Sequence, residues 1–326
     1  MKKLSEIGER KAIQIISSFL SSNDKSVGVG DDCAAIDFEG KYLLISTDMI
    51  NEKTHIPIDM TPWQMGWFIV AINLSDIAAK GGIPIGVVVS LGLPSNKSKR
   101  FLRQLTKGMN RCARKFDSYI YGGDTKQSSE INLCGTAFGH IEKDKFMSRK
   151  GINKGDILAV TNYIGGATAG YYSLKNNLNE KKVEKLLLEP VPRLREGKYL
   201  SEEKIVTSCI DISDGISSSL YQLKEINKIG FEINKKSIPY SPHLKKINEK
   251  INLDLYNKAL YFGGDYELLL TTPYDKFNDL KDRLERKNIF LTPIGKAKQD
   301  DKITITDEKN NIKILPNKGY EHFIRQ

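Results

Sequence analysis

Apolar and polar residues along this 326-residue chain follow two periods, one typical of strands and one typical of helices. Short blocks rich in β-branched and aromatic residues predict strands, because glycines and polar turn residues bound them. The predicted strands are 41–47, 85–93, 118–123, 131–141, 156–161, 205–211 and 266–272. Since helical segments separate many of these blocks, we expect a mixed α/β fold.

The clearest predicted helix starts at Thr61-Pro62 and stops before Gly81-Gly82. Threonine can cap the first free N–H groups of a helix, proline suits its first position, and glycine commonly follows its end. Other predicted helices cover 1–20, the basic segment 97–115, the charged segment 175–190, and about 213–229.

A polar stretch at 142–151, EKDKFMSRKG, separates two halves that each contain predicted strands and helices. The chain is long enough to build two hydrophobic cores. We therefore expect two domains, an N-terminal one over residues 1–145 and a C-terminal one over residues 146–326.

Composition limits the possible classes of protein. With 40% hydrophobic and 28% charged residues the chain is typical of a globular protein, and its longest apolar runs are too short to cross a membrane. Glu6, Glu9, Arg10 and Lys11 interrupt any signal-peptide core, so we expect a cytoplasmic protein. Scattered cysteines, and histidines without ligand spacing, argue against a disulfide framework and a zinc site.

The net charge of +10 has two interpretations, nucleic-acid binding or a lysine-rich surface around a small anionic ligand. The basic cluster at 97–115 fits an amphipathic helix with a solvated face. No RNA-binding motif with interleaved aromatic residues and no convincing helix-turn-helix pattern is present in the sequence. We therefore expect no nucleic-acid partner.

Aspartates recur beside glycines and at the ends of predicted strands. In GVGDDCAAID at 28–37, the adjacent Asp31 and Asp32 meet small apolar residues, and both burial and mutual repulsion disfavour their charged forms. Further acids of this kind are Asp48, Asp124, Asp211, Asp214 and Asp265, with Asp76 inside the long apolar helix. Any single one is more simply a turn residue or a helix cap. Their repetition favours a shared role.

These acids predict a magnesium-dependent nucleotide site. No lysine or arginine lies within the motifs GVGDDCAA, STDM, NLSDIAA or CIDISDG, so we expect divalent cations to balance their charge. Mg²⁺ prefers carboxylate, water and phosphate oxygens and usually leaves room for substrate phosphates. No Walker A sequence is present, and the glycines of GGATAG at 165–170 are better explained by close packing than by phosphate binding.

Seven motifs, taken in order, resemble the thiamine-monophosphate kinase family, which belongs to the superfamily of aminoimidazole ribonucleotide synthetase. They are GVGDDCAA, STDMINEKTHI, WFIVAINLSDIAAKGG, YGGDT, SRKGINKGD, CIDISDG and FGGDYELL, and the resemblance continues to GYEHF at 319–323. It implies a two-domain PurM-like α/β architecture whose N-terminal domain forms a dimeric β-barrel. It also implies transfer of the ATP γ-phosphoryl group to thiamine monophosphate, which gives thiamine diphosphate.

The resemblance further implies roles for individual residues. Magnesium ions would be held by Asp31, Ser46, Thr47, Asp48, Asp76, Asp124, Asp211 and Asp214. ATP would be bound by Thr106, Gly123, Asp124, Arg149 and Ser213. The acceptor would be bound by His55, Gly264 and Tyr320. Catalysis would rest on Asp48, Asp76, Asp124 and Arg149.

Two positions depart from the family pattern. The family usually reads G-G-E-D-Y-E-L, whereas FGGDYEL at 262–268 places Gly264 where a substrate-contacting glutamate is expected. Thr106 lies where an aromatic residue near the nucleotide is common. Two alternatives therefore stay open: an ATP-dependent enzyme of the same superfamily with a different phosphorylated acceptor, and an ATP-binding regulatory protein without catalysis.

Overall fold

The computed structural model describes residues 2–21, 26–57 and 59–323. These residues form two β-sheets, each with its own helices and its own hydrophobic core. The prediction of a mixed α/β protein with two domains is therefore confirmed. In the described ranges, no helix combines the length and the apolar character that a membrane crossing requires.

The N-terminal sheet has five strands in the order β1-β2-β5-β3-β4. Their bounds are β1 (Ala34–Phe38), β2 (Lys41–Asn51), β3 (Ile83–Leu93), β4 (Tyr119–Gln127) and β5 (Asn132–Glu142). The helices of this half are α1 (Leu4–Phe19), α2 (Pro62–Ala79) and α3 (Lys99–Lys115). Helix α2 packs on β2 and β5, and α3 packs on α2, so one face of the sheet is covered.

The C-terminal sheet has seven strands in the order β12-β11-β8-β10-β6-β9-β7. Its strands are β6 (Ile157–Thr161), β7 (Ser208–Asp211), β8 (Gly230–Asn234), β9 (Leu268–Thr272), β10 (Leu291–Lys298), β11 (Ile303–Thr306) and β12 (Ile312–Ile314). Its helices are α4 (Gly166–Lys175), α5 (Lys181–Leu188), α6 (Leu194–Glu202), α7 (Ile216–Asn227), α8 (Pro242–Ile251), α9 (Leu255–Ala259) and α10 (Tyr274–Glu285).

Helix α2 joins the two halves, because it also contacts β7 and α6 of the C-terminal half. Its start is as predicted: Thr61 accepts a hydrogen bond from the backbone N–H of Gln64 (3.3 Å), whose side chain accepts one in return. Two glycines let α2 and α3 approach closely, since a Cβ at Gly66 or Gly108 would overlap the backbone of the other helix. The helix is buried along most of its length, so any polar residue on it must find a partner inside the protein.

Two predicted strand ends are wrong. β2 continues to Asn51 and β4 continues to Gln127, so Asp48 and Asp124 lie within strands. Ladder pairing explains the extension, because Asp48 faces Gly135 of β5 and Asp124 faces Ser90 of β3. By contrast, Asp211 does end its strand, as predicted.

Candidate active site

Three carboxylates from distant parts of the chain meet between the two halves of the molecule. Asp32 lies in the turn before β1, Asp76 lies in α2, and Asp211 ends β7; one oxygen from each lies within 4.8 Å of the others. Ser46 donates a hydrogen bond to Asp76, and Ser75 donates one of 2.6 Å to Asp211. A turn, a buried helix and a strand end therefore bring these groups together, and the two serines orient two of them.

Asp48 and Asp214 line the same cavity as Asp76 and Asp211, and we call these four acids the open half of the acid site. Burial raises the pKa of Asp76 well above its usual value, and the nearby Asp48 and Asp211 raise it further. Burial also raises the pKa of Asp48, which a hydrogen bond with Asp76 only partly offsets. Burial, with a contribution from Asp32, brings the pKa of Asp211 to about 7. The pKa of Asp214 also rises to about 7, through burial and the nearby Glu9.

Within the described ranges, no lysine or arginine forms an ion pair with a member of the open half. Buried carboxyls without a cationic partner hold their protons, or else bind a cation from outside the chain. Short side chains on rigid elements, with the hydroxyls of Ser46 and Thr47 beside them, are a donor set that suits Mg²⁺. The open half therefore fits the predicted metal on its chemistry.

The other part, the paired half, consists of Asp31 and Asp32 with Lys80 and Arg149. Lys80 Nζ lies 2.5 Å from Asp31 Oδ1 and 2.6 Å from Asp32 Oδ2, the second a charge contact without hydrogen-bond geometry. Arg149 donates to Asp32 through Nε (3.1 Å) and through a second guanidinium nitrogen. Although burial opposes it, the two cations lower the pKa of Asp32. The expectation that the chain supplies no cation for these two acids is therefore wrong.

Two cavities meet at the acids. One, of about 640 Å³, is lined by the GVGDD turn, α1, part of β2 and part of α7. The other, of about 520 Å³, is lined by β2, α2, the segment after β7 and the 261–266 loop. Glu9, Thr47, Asp214 and Tyr320 line both cavities. Two ligands bound side by side would thus face each other across these residues.

Most predicted site residues line one or both of these cavities. The larger cavity has Asp31, Ser46, Thr47, Arg149, Asp214 and Tyr320 on its wall. The smaller one has Thr47, Asp48, His55, Asp76, Asp211, Ser213, Asp214, Gly264 and Tyr320. All three residues expected to bind the acceptor therefore face the smaller cavity.

The smaller cavity has aromatic rings in its wall beside the acids. His55 packs near Tyr320 and His322, with ring centroids 5.9 and 5.1 Å away. Burial and the nearby His322 lower the pKa of His55 to about 4, so its ring is neutral near pH 7. Gly264 has a φ of +94°, a conformation that strains any residue with a side chain. Glycine at this position, in place of the glutamate of the family pattern, therefore suits the backbone conformation found here.

Three predicted residues lie elsewhere. Among the residues that the structure describes, neither cavity is lined by Thr106, Gly123 or Asp124. Thr106 lies on the exposed side of α3 and donates its hydroxyl to the carbonyl of Leu102. Gly123 and Asp124 lie on β4, at the edge of the N-terminal sheet.

Sequence reasoning missed several residues of the site. The sequence assigns no role to Asp32 beside Asp31, and Lys80 lies outside the acidic motifs because it directly follows NLSDIAA. Glu9 reaches the site from the N-terminal helix, where its carboxylate accepts a hydrogen bond from the backbone N–H of His322 (3.0 Å). No local pattern marks Glu9, because its role depends on contact between the two chain ends.

The glycines of 165–170 lie at the start of α4, which begins at Gly166. Asp265 accepts hydrogen bonds from the backbone N–H groups of Gly165 (2.8 Å) and Ala167 (2.9 Å). Since this carboxylate already caps the N-terminus of α4, the interpretation of these glycines as packing residues is favoured over phosphate binding.

Comparison with known families gives two matches. Residues 30–141 match the AIR synthase related protein, N-terminal domain, and residues 153–308 match the AIR synthase related protein, C-terminal domain. Together the two matches cover most of the chain.

Curated relatives and solved structures agree. The chain is 33% identical to the thiamine-monophosphate kinase of Methanospirillum hungatei, over 96% of this chain and 99% of the relative. It is 32% identical to that of Pyrococcus horikoshii, over 95% of each chain. A solved structure described as AaThiL complexed with AMPPCP and TMP superimposes with a TM-score of 0.88 at 28% identity, covering 99% of both chains.

Proposed function

We propose, since this chain belongs to the thiamine-monophosphate kinase family of AIR synthase related proteins, that it transfers the γ-phosphoryl group of ATP to thiamine monophosphate. The product would be thiamine diphosphate. The observation that carries this proposal is the junction of two cavities at the open half, whose carboxylates have no ion-pair partner among the described residues. A related protein solved with AMPPCP, an analogue of ATP, and with TMP supports the same pair of ligands.

The open half would hold the magnesium ions, through Asp48, Asp76, Asp211 and Asp214 with help from Ser46 and Thr47. When bound, Mg²⁺ supplies positive charge that offsets the phosphates and the charge that builds up during transfer. The role of the chain is to orient these acids: Asn73 accepts a hydrogen bond from the backbone N–H of Asp48 (3.0 Å), which fixes that part of β2.

The reaction needs little proton transfer, because the nucleophile is a phosphate oxygen that is already mostly ionised near neutral pH. Catalysis then consists of bringing two polyanions together in line and stabilising their charge. Thr47 and Asp214 lie on the shared wall of the two cavities, where the donor and the acceptor would meet. Arg149 lines the larger cavity, and its guanidinium is held in place by Asp32 and Gln222.

ATP would occupy the larger cavity and thiamine monophosphate the smaller one. His55 and Tyr320 give the acceptor aromatic surfaces, and the neutral ring of His55 avoids repulsion of a cationic heterocycle. Ser213 lies in the wall of the smaller cavity near Asp214, so it would contact the terminal phosphates of ATP and not the base. Gly264 would leave room beside the acceptor instead of contacting it through a side chain.

The protein would act as a homodimer that closes a β-barrel between its N-terminal sheets. β4 is an exposed edge strand, and edge strands of this length are usually covered. Apolar residues are exposed on the sheet, including Met49, Val88, Tyr119 and Tyr121. Pairing through β4 would put Gly123 and Asp124 at the subunit boundary, so nucleotide contacts by these residues would be made across it.

Three further points are proposals from the sequence. The domain boundary would fall near residue 145, since the segment 142–151 connects the two sheets. A contact between Thr106 and the nucleotide and a cytoplasmic location stay predictions.

An equilibrium molar mass measured by light scattering tests the dimer, and Tyr121→Glu should convert it to a monomer, with the exposed Tyr274→Glu as the matched control.

The deciding experiment is an assay of thiamine diphosphate formation from ATP, Mg²⁺ and thiamine monophosphate. We expect product with this acceptor and none when Mg²⁺ is chelated. ATP binding without product would favour a different phosphorylated acceptor, and ATP binding without turnover of any phosphorylated acceptor would favour the regulatory alternative.

A further inference from the structure

Lys80 is a fully buried lysine at the centre of the paired half. Its side chain has 0% exposure, as does that of Asp32, and Asp31 retains only 5%. The ammonium also donates to the carbonyl of Cys209 (2.9 Å) and lies 6.0 Å from the ring of Phe146. Two carboxylates, a carbonyl and an aromatic ring therefore favour a cation here, while the Arg149 guanidinium on Asp32 opposes one.

Burying an ammonium is unfavourable unless opposite charges compensate for the lost hydration. Here two carboxylates lie 2.5 and 2.6 Å from the ammonium and compensate for its burial. Lys80 directly follows the last residue of α2. The next residue, Gly81, has a φ of +71° and ends the helical path of the backbone. The ammonium is thus a fixed charge, held by the end of a buried helix.

The location of this charge gives it more than a packing role. The carboxylate of Asp32 belongs both to the paired half and to the three-carboxylate cluster with Asp76 and Asp211. Both oxygens of Asp31 already have two donors. Oδ1 accepts from Lys80 and from the backbone N–H of Asp32 (2.9 Å), and Oδ2 accepts from Ser148 and from the backbone N–H of Arg149, both at 3.0 Å. A metal ion at Asp31 would have to displace these donors.

We infer that the Lys80 ammonium takes the place of a divalent ion at Asp31 and Asp32, so that this protein binds one metal ion fewer than the same acids would hold without it. Asp31 is then a positioning residue that holds Lys80 and the backbone of Arg149, and the metal ions are confined to the open half. This inference rests on the proposed function for its ligands, and it replaces the metal role that the sequence suggested for Asp31.

The test counts bound ions directly. Mn²⁺ is titrated into protein saturated with a non-hydrolysable ATP analogue, and free Mn²⁺ is followed by electron paramagnetic resonance. The variants are Lys80→Met, which keeps the length but removes the charge, and Lys80→Arg, which keeps the charge. Asp31→Asn and Asp76→Asn are a matched pair that separates the two halves of the cluster.

We expect Lys80→Met to bind about one Mn²⁺ more per protomer than the wild type, and Lys80→Arg to bind the same number. Asp31→Asn should keep the wild-type number with less than about a threefold change in affinity, whereas Asp76→Asn should lose an ion or bind it at least about tenfold more weakly. An unchanged count in folded Lys80→Met, or the loss of an ion in Asp31→Asn, would overturn the inference.

Because Asp31→Asn leaves Lys80 in place, it decides the matter even if Lys80→Met does not fold. A failure of the proposed function would be seen separately, as a wild-type protein that forms no thiamine diphosphate, and these ion counts do not depend on turnover.

Discussion

The open half and the paired half of the acid cluster lie side by side, but they obtain positive charge in different ways. In the paired half, Lys80 and Arg149 come from the chain, and the pKa of Asp32 is lowered. In the open half, no lysine or arginine of the described residues forms an ion pair with the acids, and the pKa values of Asp48, Asp76, Asp211 and Asp214 are raised. Neighbouring aspartates in one site can therefore have different roles: some form structural ion pairs, and others remain available to bind cations from outside the chain.

The largest difference should appear in activity. Asp48→Asn removes one charge from the open half while keeping the shape of the side chain, so kcat should fall by roughly 100- to 1000-fold. The free energy of unfolding should stay the same or rise, because burial and the nearby Asp32 disfavour the charged form of Asp48. Steady-state kinetics and urea unfolding measure the two quantities.

The matched control for that variant is Asp37→Asn, since Asp37 is a partly exposed acid paired with Lys143 at 2.6 Å and lines neither cavity. Its kcat should equal the wild-type value. If Asp48→Asn stayed active, or lost activity only because it unfolded, the open half would have no catalytic role.

The next effect is on stability in the paired half. Lys80→Met leaves Asp31 and Asp32 buried with only Arg149, and removal of one partner from a buried ion pair costs about 3–5 kcal/mol. Urea unfolding without metal should show a loss of this order, and saturating Mn²⁺ should restore part of it. A loss similar to that of an exposed ion pair would mean that Lys80 is not needed to balance these acids.

A smaller effect should appear in the pH dependence of stability without metal. Native Asp211 and Asp214 keep their protons up to a pKa of about 7, whereas unfolded aspartates release them near 3.8. The native state therefore binds more protons between these pH values, and the free energy of unfolding should fall as the pH rises from about 4 to about 7.

Asp211→Asn should remove part of that decrease, on the order of 2 kcal/mol once water in the cavity is allowed for. Saturating Mg²⁺ should oppose the decrease as well, because it favours the ionised acids. A stability curve that is identical in wild type and Asp211→Asn would show that Asp211 titrates normally.

The smallest effect is expected at an exposed pair. Lys41 and Glu142 lie 2.9 Å apart with nearly half of each side chain exposed, so Lys41→Met should change the free energy of unfolding by less than about 1 kcal/mol. Unlike the change in Lys80→Met, this change should shrink further in high salt, since exposed charges are screened. A loss as large as that of Lys80→Met would remove the distinction between buried and exposed pairs.

Much of the fold could be predicted because local signals specify it. The start of α2 follows from the Thr61-Pro62 capping pattern. Most predicted strands overlap the observed ones, because the apolar blocks are the segments that pair in the sheets. The end of β2 could not be found this way, because pairing with β5 carries Asp48 inside a strand in spite of its polarity. Long-range pairing decided that boundary.

The acids of the site could also be predicted, but not the source of their counter-charge. Lys80 lies just outside the acidic motifs, directly after NLSDIAA, and Arg149 comes from a connecting segment more than a hundred residues after Asp32. Whether an acid is paired depends on distance in space, which the local sequence does not contain. The same holds for Glu9, which reaches the site from the other end of the chain.

The most direct measurement is a crystal structure with a non-hydrolysable ATP analogue, thiamine monophosphate and Mn²⁺, in which anomalous scattering locates the ions. We predict ions within about 2.3 Å of oxygens of the open half, between the two ligands. Lys80 should keep its contacts with Asp31 and Asp32. An ion bound to Asp31 with the Lys80 ammonium displaced, or no ion at the open half, would contradict this account.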